Sequence, residues 1–181
     1  MAKSATVLLS GGIDSACCLK MLLDDGYTAY PVFVDFGQPA NQIERISSAA
    51  VASLFGLSVA NVEVRGQVSF AAGEIRGRNP FLLTTALMHT PAVGGILVLG
   101  IHAGVPYYDC GAPFLHRIND LVAECTDGRF GVAAPLLSWS KSDIYSYFRT
   151  SGLPPELTHS CEIGVPGGCG ECASCQDRRF L

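Results

Sequence analysis

Short apolar runs alternate along the chain with longer stretches in which apolar residues recur at three- and four-residue spacing. Ala5–Leu9, Tyr27–Val34, Leu57–Val64, Gly95–Gly100 and Val132–Pro135 predict five strands. Ile13–Leu23, Asn41–Phe55, Asn79–His89, Pro113–Cys125 and Lys141–Thr150 predict five helices, with Pro80 tolerated in a first turn. Residues 65–77 carry no period. Strands and helices that alternate in this way predict an α/β fold, a Rossmann-like five-stranded parallel sheet with helices on both faces. Only the tail changes character, becoming rich in Pro, Gly and Cys. The expected organisation is therefore one α/β domain over 1–152 and a C-terminal tail over 153–181 packed on it.

Composition narrows the class. Hydrophobic residues make up 49% of the 181 and charged residues 15%, which excludes a disordered chain. No apolar run reaches membrane-spanning length, and the first residues lack the layout of a secretion signal. The expectation is a cytoplasmic protein. A net charge of −4 argues against a grip on nucleic acid and favours a small-molecule substrate.

One segment carries phosphate chemistry. Ser10-Gly11-Gly12-Ile13-Asp14-Ser15 falls where the first strand turns into the first helix. Two glycines let the backbone turn tightly and approach an anion, and the helix start behind them offers free N–H groups and the positive end of its dipole. Ser10 and Ser15 add hydroxyls. Asp14 repels phosphate unless a cation intervenes, so its expected task is to orient the loop or to meet a metal ion. No Gly-Lys-Ser/Thr follows, and the third glycine of a dinucleotide fingerprint is missing. The plainer reading is a capped strand-to-helix turn.

Eight cysteines divide into two groups. Cys17, Cys18, Cys110 and Cys125 are scattered through apolar or mixed segments and read as structural thiols. Cys161, Cys169, Cys172 and Cys175 crowd a glycine-rich stretch with spacing C-x7-C-x2-C-x2-C. Four thiolates in one turn suit a tetrahedral zinc ion with no open position, hence a structural site. Iron–sulfur ligation and redox disulfides use the same residues and stay open at this level.

The loop Ser10–Ser15 resembles the SGGxDS signature of the PP-loop ATP pyrophosphatases, which cleave ATP between the α and β phosphates. The whole chain resembles the 7-cyano-7-deazaguanine synthase (QueC) family. The further residues that carry the likeness are Val34-Asp35-Phe36-Gly37-Gln38, Arg78-Asn79, Gly100-Ile101-His102, Tyr107-Tyr108-Asp109-Cys110, Pro135-Leu136 with Ser140-Lys141, and the cysteines introduced by Thr158-His159-Ser160. The resemblance implies an ATP-dependent, carbon–nitrogen bond-forming ligase. Such an enzyme adenylates 7-carboxy-7-deazaguanine and converts it with ammonia to the amide and then to 7-cyano-7-deazaguanine (preQ0), in queuosine biosynthesis. It implies ATP, magnesium and zinc as cofactors, and dimers are common among such proteins. Ser10, Gly11, Gly12, Asp14 and Ser15 are then expected to hold the phosphates, and Asp35 and Gly37 to line the ribose, with helix capping the alternative for Asp35. Asp14, Lys141 and Arg78 are the expected catalytic residues, the two cations neutralising developing charge. His102, Tyr107, Tyr108 and Asp109 are the expected groups for the deazaguanine, by aromatic stacking and by acceptance from its N1–H and amine.

Two departures from the family pattern stand out. Pro39-Ala40 replace a basic residue and often a His after Gly37-Gln38, and the segment before Arg78 is shorter than is usual. A trimmed segment over the pocket is expected to leave the site more open, so that the enzyme either still makes the nitrile or has been reassigned. In a divergent, antiphage-type relative the attacking amine belongs to a protein rather than to ammonia. A tRNA-modifying PP-loop enzyme and a non-catalytic binding module are the remaining alternatives.

Overall fold

The computed structural model describes residues 3–66, 70, 71 and 73–179. Its strands are β1 (Ser4–Leu8), β2 (Thr28–Asp35), β3 (Ala60–Glu63), β4 (Gly95–Val98) and β5 (Phe130–Ala133). Its helices are α1 (Ile13–Asp24), α2 (Asn41–Ser53), α3 (Arg78–His89), α4 (Ala112–Cys125), α5 (Lys141–Thr150) and α6 (Ala173–Arg178), with 3-10 turns at Tyr108–Cys110 and Pro155–Leu157. All described strands pair in parallel in the order β3-β2-β1-β4-β5.

The period-2 pattern of the strands sorts the core into two faces. Ala5, Val7 and Leu9 pack with Leu19 and Leu22 of α1, Val51 of α2 and Phe148 of α5. Leu97, Leu99 and Val132 point the other way, to Leu83 of α3 and Phe114, Ile118 and Val122 of α4. Cys17 and Cys18 are wholly buried on α1, and burial, reinforced by Asp14, pushes the Cys17 thiol up to about 12. They fill space and do no thiolate chemistry.

The differences from the pattern lie at element ends. Strand β3 starts at Ala60 rather than Leu57, because it pairs only with Val32–Asp35, while Leu57 and Val59 serve the core as irregular chain. Strand β5 begins at Phe130, opposite Gly95. The tail contains the short helix α6, which a glycine- and cysteine-rich stretch does not announce. Between β3 and α3 the described residues form no helix or strand before the turn at Arg76–Gly77; Gln67, Val68, Ser69 and Ala72 lie outside the described residues. Among the described residues, no helix is long and apolar enough to cross a membrane.

The tail docks on the α/β body through backbone and side chain. His159 N–H donates to Gly11 O at 2.9 Å. Arg178 donates to Thr158 Oγ1 at 3.0 Å, Ser160 Oγ at 3.2 Å and Pro155 O at 2.6 Å, which ties α6 to the segment that enters the cysteine cluster.

Candidate active site

The strand order reverses direction between β1 and β4, the position at which open parallel sheets leave a crevice beyond their carboxyl ends. Two glycines bring the crevice walls together. Gly11 has φ +78°, and a Cβ there would lie 2.5 Å from Ser47 Cβ and from Ser48 N on α2. Gly100, after β4, packs on the start of α1, where a Cβ would lie 3.1 Å from Asp14 C and Ser15 N. Ser10 Oγ sits 3.2 Å from Ser15 Oγ, and Ser15 Oγ donates to Gly12 O at 3.0 Å. The first-turn amides of α1 thus face the crevice from a fixed loop.

A second helix start meets the first. Ser140 and Asp143 form a reciprocal capping box, Ser140 N–H donating to Asp143 Oδ2 at 2.8 Å and Asp143 N–H to Ser140 Oγ at 3.2 Å. The Ser140 hydroxyl, which donates to Asp143 Oδ2 at 2.6 Å, and then the Ser140 N–H hold the Asp143 carboxyl below its usual range. The box fixes Lys141 as the first residue of α5. A cation at a helix start opposes the dipole, and Asp14 offsets it: Lys141 Nζ donates to Asp14 Oδ1 at 2.9 Å and Oδ2 at 2.7 Å. Lys141 Nζ also lies 5.9 Å from the centre of the Tyr145 ring. His102 approaches the same carboxylate, with Nε2 3.8 Å from Asp14 Oδ2, while its Nδ1 bonds to Ala103 O at 2.7 Å. The cation that Asp14 needs beside a phosphate is therefore present.

The crevice opens into a cavity of about 820 Å³. Ser10, Gly12, Asp14, Ser15, Arg78, His102, Tyr107 and Lys141 line it, as do Phe36, Gln38 and Glu44 from the end of β2 and the start of α2. Ser160, Cys161, Glu162, Ser174 and Asp177 of the tail close another side. Glu44 was not singled out by sequence; its signal was an acidic residue in the first turn of the helix after the second strand. Gln38 Nε2 donates to Glu44 Oε2 at 2.9 Å. Burial pushes the Glu44 carboxyl up, against the lowering pull of Gln38 and Arg78.

Five of the residues expected to hold ATP or the base do not line this cavity: Gly11, whose backbone turns the loop, and Asp35, Gly37, Tyr108 and Asp109. Asp35 is 2% exposed, and its carboxylate accepts from Arg45 Nη2 at 2.6 Å, Arg65 Nη1 at 2.9 Å, Asn41 Nδ2 at 3.2 Å and Gly37 N at 3.0 Å. Burial works to raise its carboxyl, but these donors, Arg65 foremost, win and hold it far below the usual range. A carboxylate so occupied has no acceptor left for a ribose, and Gly37 serves it as a donor. Asp109 belongs to α3: its Oδ2 accepts from Asn79 N at 3.2 Å and its carbonyl from Asn79 Nδ2 at 2.8 Å. It supplies from 30 residues away the cap that Gly77, without a side chain, cannot. Tyr108 is 61% exposed, edge-on to Phe114, and its hydroxyl accepts from Arg117 at 3.0 Å. Tyr107 alone of that trio faces the cavity.

The cysteine cluster borders the cavity through Cys161. The four Sγ atoms of Cys161, Cys169, Cys172 and Cys175 lie within 4.8 Å of one another, with Cys169 and Cys175 3.9 Å apart. A tetrahedral zinc with bonds of about 2.3 Å needs thiolates roughly 3.8 Å apart, so the donor set fits. Amides of Cys172 and Glu171 point at Cys169 Sγ at 3.3 and 3.4 Å and lower its thiol to about 6. Burial raises Cys161, but the amides of Val165, Cys169 and Ile163 outweigh it and leave the thiol lowered. Burial pushes Cys175 up to about 11. Four thiolates around a divalent ion carry net negative charge, and the attraction of Arg178 to Cys175 opposes it. Gly164 of the same loop packs on the segment that departs from the family pattern: a Cβ there would lie 2.9 Å from Pro39 O and Ala40 Cα.

The sheet order, the glycine loop at its turning point and the paired helix starts define the class, a Rossmann-like α/β protein of the PP-loop type. A solved structure from Methanocaldococcus jannaschii, described as a predicted subunit of tRNA methyltransferase, shares this fold. The TM-score is 0.52 over 81% of this chain and 74% of that one, at 14% identity. The family model described as queuosine biosynthesis protein QueC matches residues 4–73 and 66–180. Curated relatives named 7-cyano-7-deazaguanine synthase agree with it. One from Oceanobacillus iheyensis is 29% identical, covering 97% of this chain and 91% of that protein. One from Anaeromyxobacter dehalogenans is 32% identical, covering 98% and 90%. The chain belongs to the QueC family.

Proposed function

We propose that the chain uses ATP to adenylate the carboxylate of 7-carboxy-7-deazaguanine and passes the activated acid to ammonia, giving the amide and, after a second activation, 7-cyano-7-deazaguanine. The observation that carries this is the meeting of two helix starts at Asp14 and Lys141 beside the glycine loop, inside one cavity of about 820 Å³. That volume suits a nucleotide and a small base held together. Family membership, and the name that the relatives carry, supply the substrate.

The chemistry needed is positioning and charge compensation. Attack of a carboxylate oxygen on the α-phosphate expels pyrophosphate, and negative charge builds on the oxygens between them. The amides of Ile13, Asp14 and Ser15, the hydroxyls of Ser10 and Ser15, and Lys141 face that position. Arg78, at the start of α3 and lining the same cavity, supplies a second cation. Tyr107 offers a ring face to the base. Magnesium would arrive on the triphosphate, with Asp14 the carboxylate nearest the loop; ions of this kind keep most of their shell in water and phosphate oxygens. Zinc would be held by the four cysteines, with no open position, and would fix the tail wall.

Incubation with ATP, magnesium and 7-carboxy-7-deazaguanine, with and without ammonia, tests the reading. AMP release that depends on the acid, with a nitrile in the mass spectrum, is the expected result. AMP release with a mass added to a protein would transfer the acceptor role to a protein amine. No AMP release with any acceptor would end the proposal.

A further inference from the structure

We infer that His102 is the proton acceptor for the attacking amine in the step after adenylation; this rests on the function proposed above. When nitrogen attacks the mixed anhydride, a C–N bond forms and the C–O bond to AMP breaks, its electron pair leaving with AMP. The nitrogen is left with one proton too many. Without a base that proton stays and the amine is expelled again, so a positioned acceptor speeds the step.

Among the described residues, the cavity holds few groups fit for the task. His159 also lines it, but its ring is buried, its Nε2 bonds to Cys161 O at 3.1 Å, and it belongs to the tail wall beside the cysteine cluster. Lys141 and Arg78 are cations. Asp14 has both oxygens engaged by Lys141, at 2.9 and 2.7 Å. Glu44, at the start of α2, is engaged by Gln38 Nε2 at 2.9 Å. Asp177 and Glu162 belong to the tail wall, and Glu162 Oε1 accepts from Ser174 Oγ at 3.0 Å and Ser174 N at 3.3 Å. Tyr107 and Tyr145 carry phenols, which give up protons rather than take them near neutrality.

His102 differs in geometry. It follows β4 by four residues and lies two past Gly100, whose backbone touches the start of α1. Its side chain is 11% exposed and lines the cavity. The bond of 2.7 Å to Ala103 O settles the tautomer: a carbonyl only accepts, so Nδ1 carries the hydrogen and Nε2 keeps its lone pair. Nε2 lies 3.8 Å from Asp14 Oδ2. That is too long for a hydrogen bond but close enough for attraction to grow as the ring gains charge. Among the described residues, Asp14 from α1 approaches the ring and, through it, Lys141 from α5. When Lys141 turns to phosphate, Asp14 is released to face the imidazolium. The base is weakly paired before the step and stabilised during it.

The test separates the two half-reactions in the parent protein and in His102→Gln and His102→Ala. Acid-dependent exchange of pyrophosphate into ATP reads adenylation, and single-turnover amide formation over a pH series reads the acceptor step. Exchange is expected to fall by no more than about tenfold, while amide formation falls by roughly 10²–10⁴. Amide formation should also lose its acid limb in His102→Gln and recover in His102→Ala with added imidazole. Amide formation that keeps its rate or its acid limb in His102→Gln overturns the role. So does equal loss of both half-reactions, which would make His102 a binding group. Absence of exchange in the parent protein overturns the adenylation reading instead, and this role with it.

Discussion

Lys141 and Asp14, 127 residues apart in sequence, meet in a two-pronged ion pair of 2.9 and 2.7 Å that joins the first turn of α5 to the first turn of α1. Side-chain exposures of 30% and 24% make it part-buried, so water still screens it and its worth to folding is at most about 1 kcal/mol. Under the proposed function its worth to a bound phosphate is larger. Lys141→Ala and Asp14→Ala are each expected to reduce ATP-dependent turnover by roughly 10²–10³ while melting temperature changes by only a few degrees. The double variant should lose little more than the worse single one, because the two act as a unit. Rates of AMP release that stay at the parent level would separate the pair from the chemistry, and losses that multiply would show two independent roles in place of one unit.

Gly11 gives a second test of the loop. Its backbone is left-handed, and an added Cβ would sit 2.5 Å from both Ser47 Cβ and Ser48 N. Gly11→Ala therefore meets strain and a backbone clash together, and about 2–4 kcal/mol of stability is expected to go. The loop would move away from α2, and His159 N–H would lose its acceptor on Gly11. Denaturant titration reads the first effect and nucleotide titration the second. An alanine variant with parent stability and parent affinity would show that the close approach to α2 is unimportant.

How much of this was legible in sequence follows from what each feature depends on. Features set by neighbours along the chain were readable: Ile13 as the first residue of α1, Lys141 as the first of α5 behind Ser140, and the strand cores at Val7, Val32 and Leu97. So was the grouping of Cys161, Cys169, Cys172 and Cys175, whose spacing almost dictates convergence. Features set by partners far along the chain were not. Asp109 looks like a ligand beside two tyrosines until α3 places Asn79 on it. Asp35 looks like a ribose partner until Arg45 and Arg65 arrive from α2 and from beyond β3. Glu44 shows only an acidic residue in a first helical turn, too common a pattern to say that this turn of α2 borders a cavity. Helix α6 is six residues long, too short for a period to register.

The pH dependence of stability tests the Asp35 assignment. Its carboxyl is held below the ordinary value in the folded chain, so the unfolded chain binds the proton more readily. The stabilisation is complete above the unfolded pKa of about 3.9 and is lost as pH falls from there toward the lower folded value. Asp35→Asn leaves two guanidinium groups without their carboxylate and is expected to cost about 2–4 kcal/mol near neutrality. It should also flatten the fall in stability below about pH 4. Chemical denaturation at pH 7 and at a series of acid pH values reads both. A parent and variant whose stabilities run parallel through the acid range would place the depressed carboxylate elsewhere.

Metal removal tests the tail. Cys161 is both a member of the thiol cluster and a cavity residue, and His159 two positions earlier holds Gly11. A tetrathiolate ion would thus brace the wall that supports the phosphate loop. One equivalent of zinc per chain is expected by elemental analysis. Cys172→Ser should lose it, because three thiolates and a hydroxyl bind far more weakly, and the melting temperature should fall by about 10 °C or more. Nucleotide affinity should drop with it, since the loop loses a hydrogen-bonded neighbour, whereas a purely peripheral metal would leave affinity alone. Acid should release the metal as the thiolates take up protons. Full zinc content in Cys172→Ser, or iron in place of zinc in the parent, would overturn the structural-zinc reading.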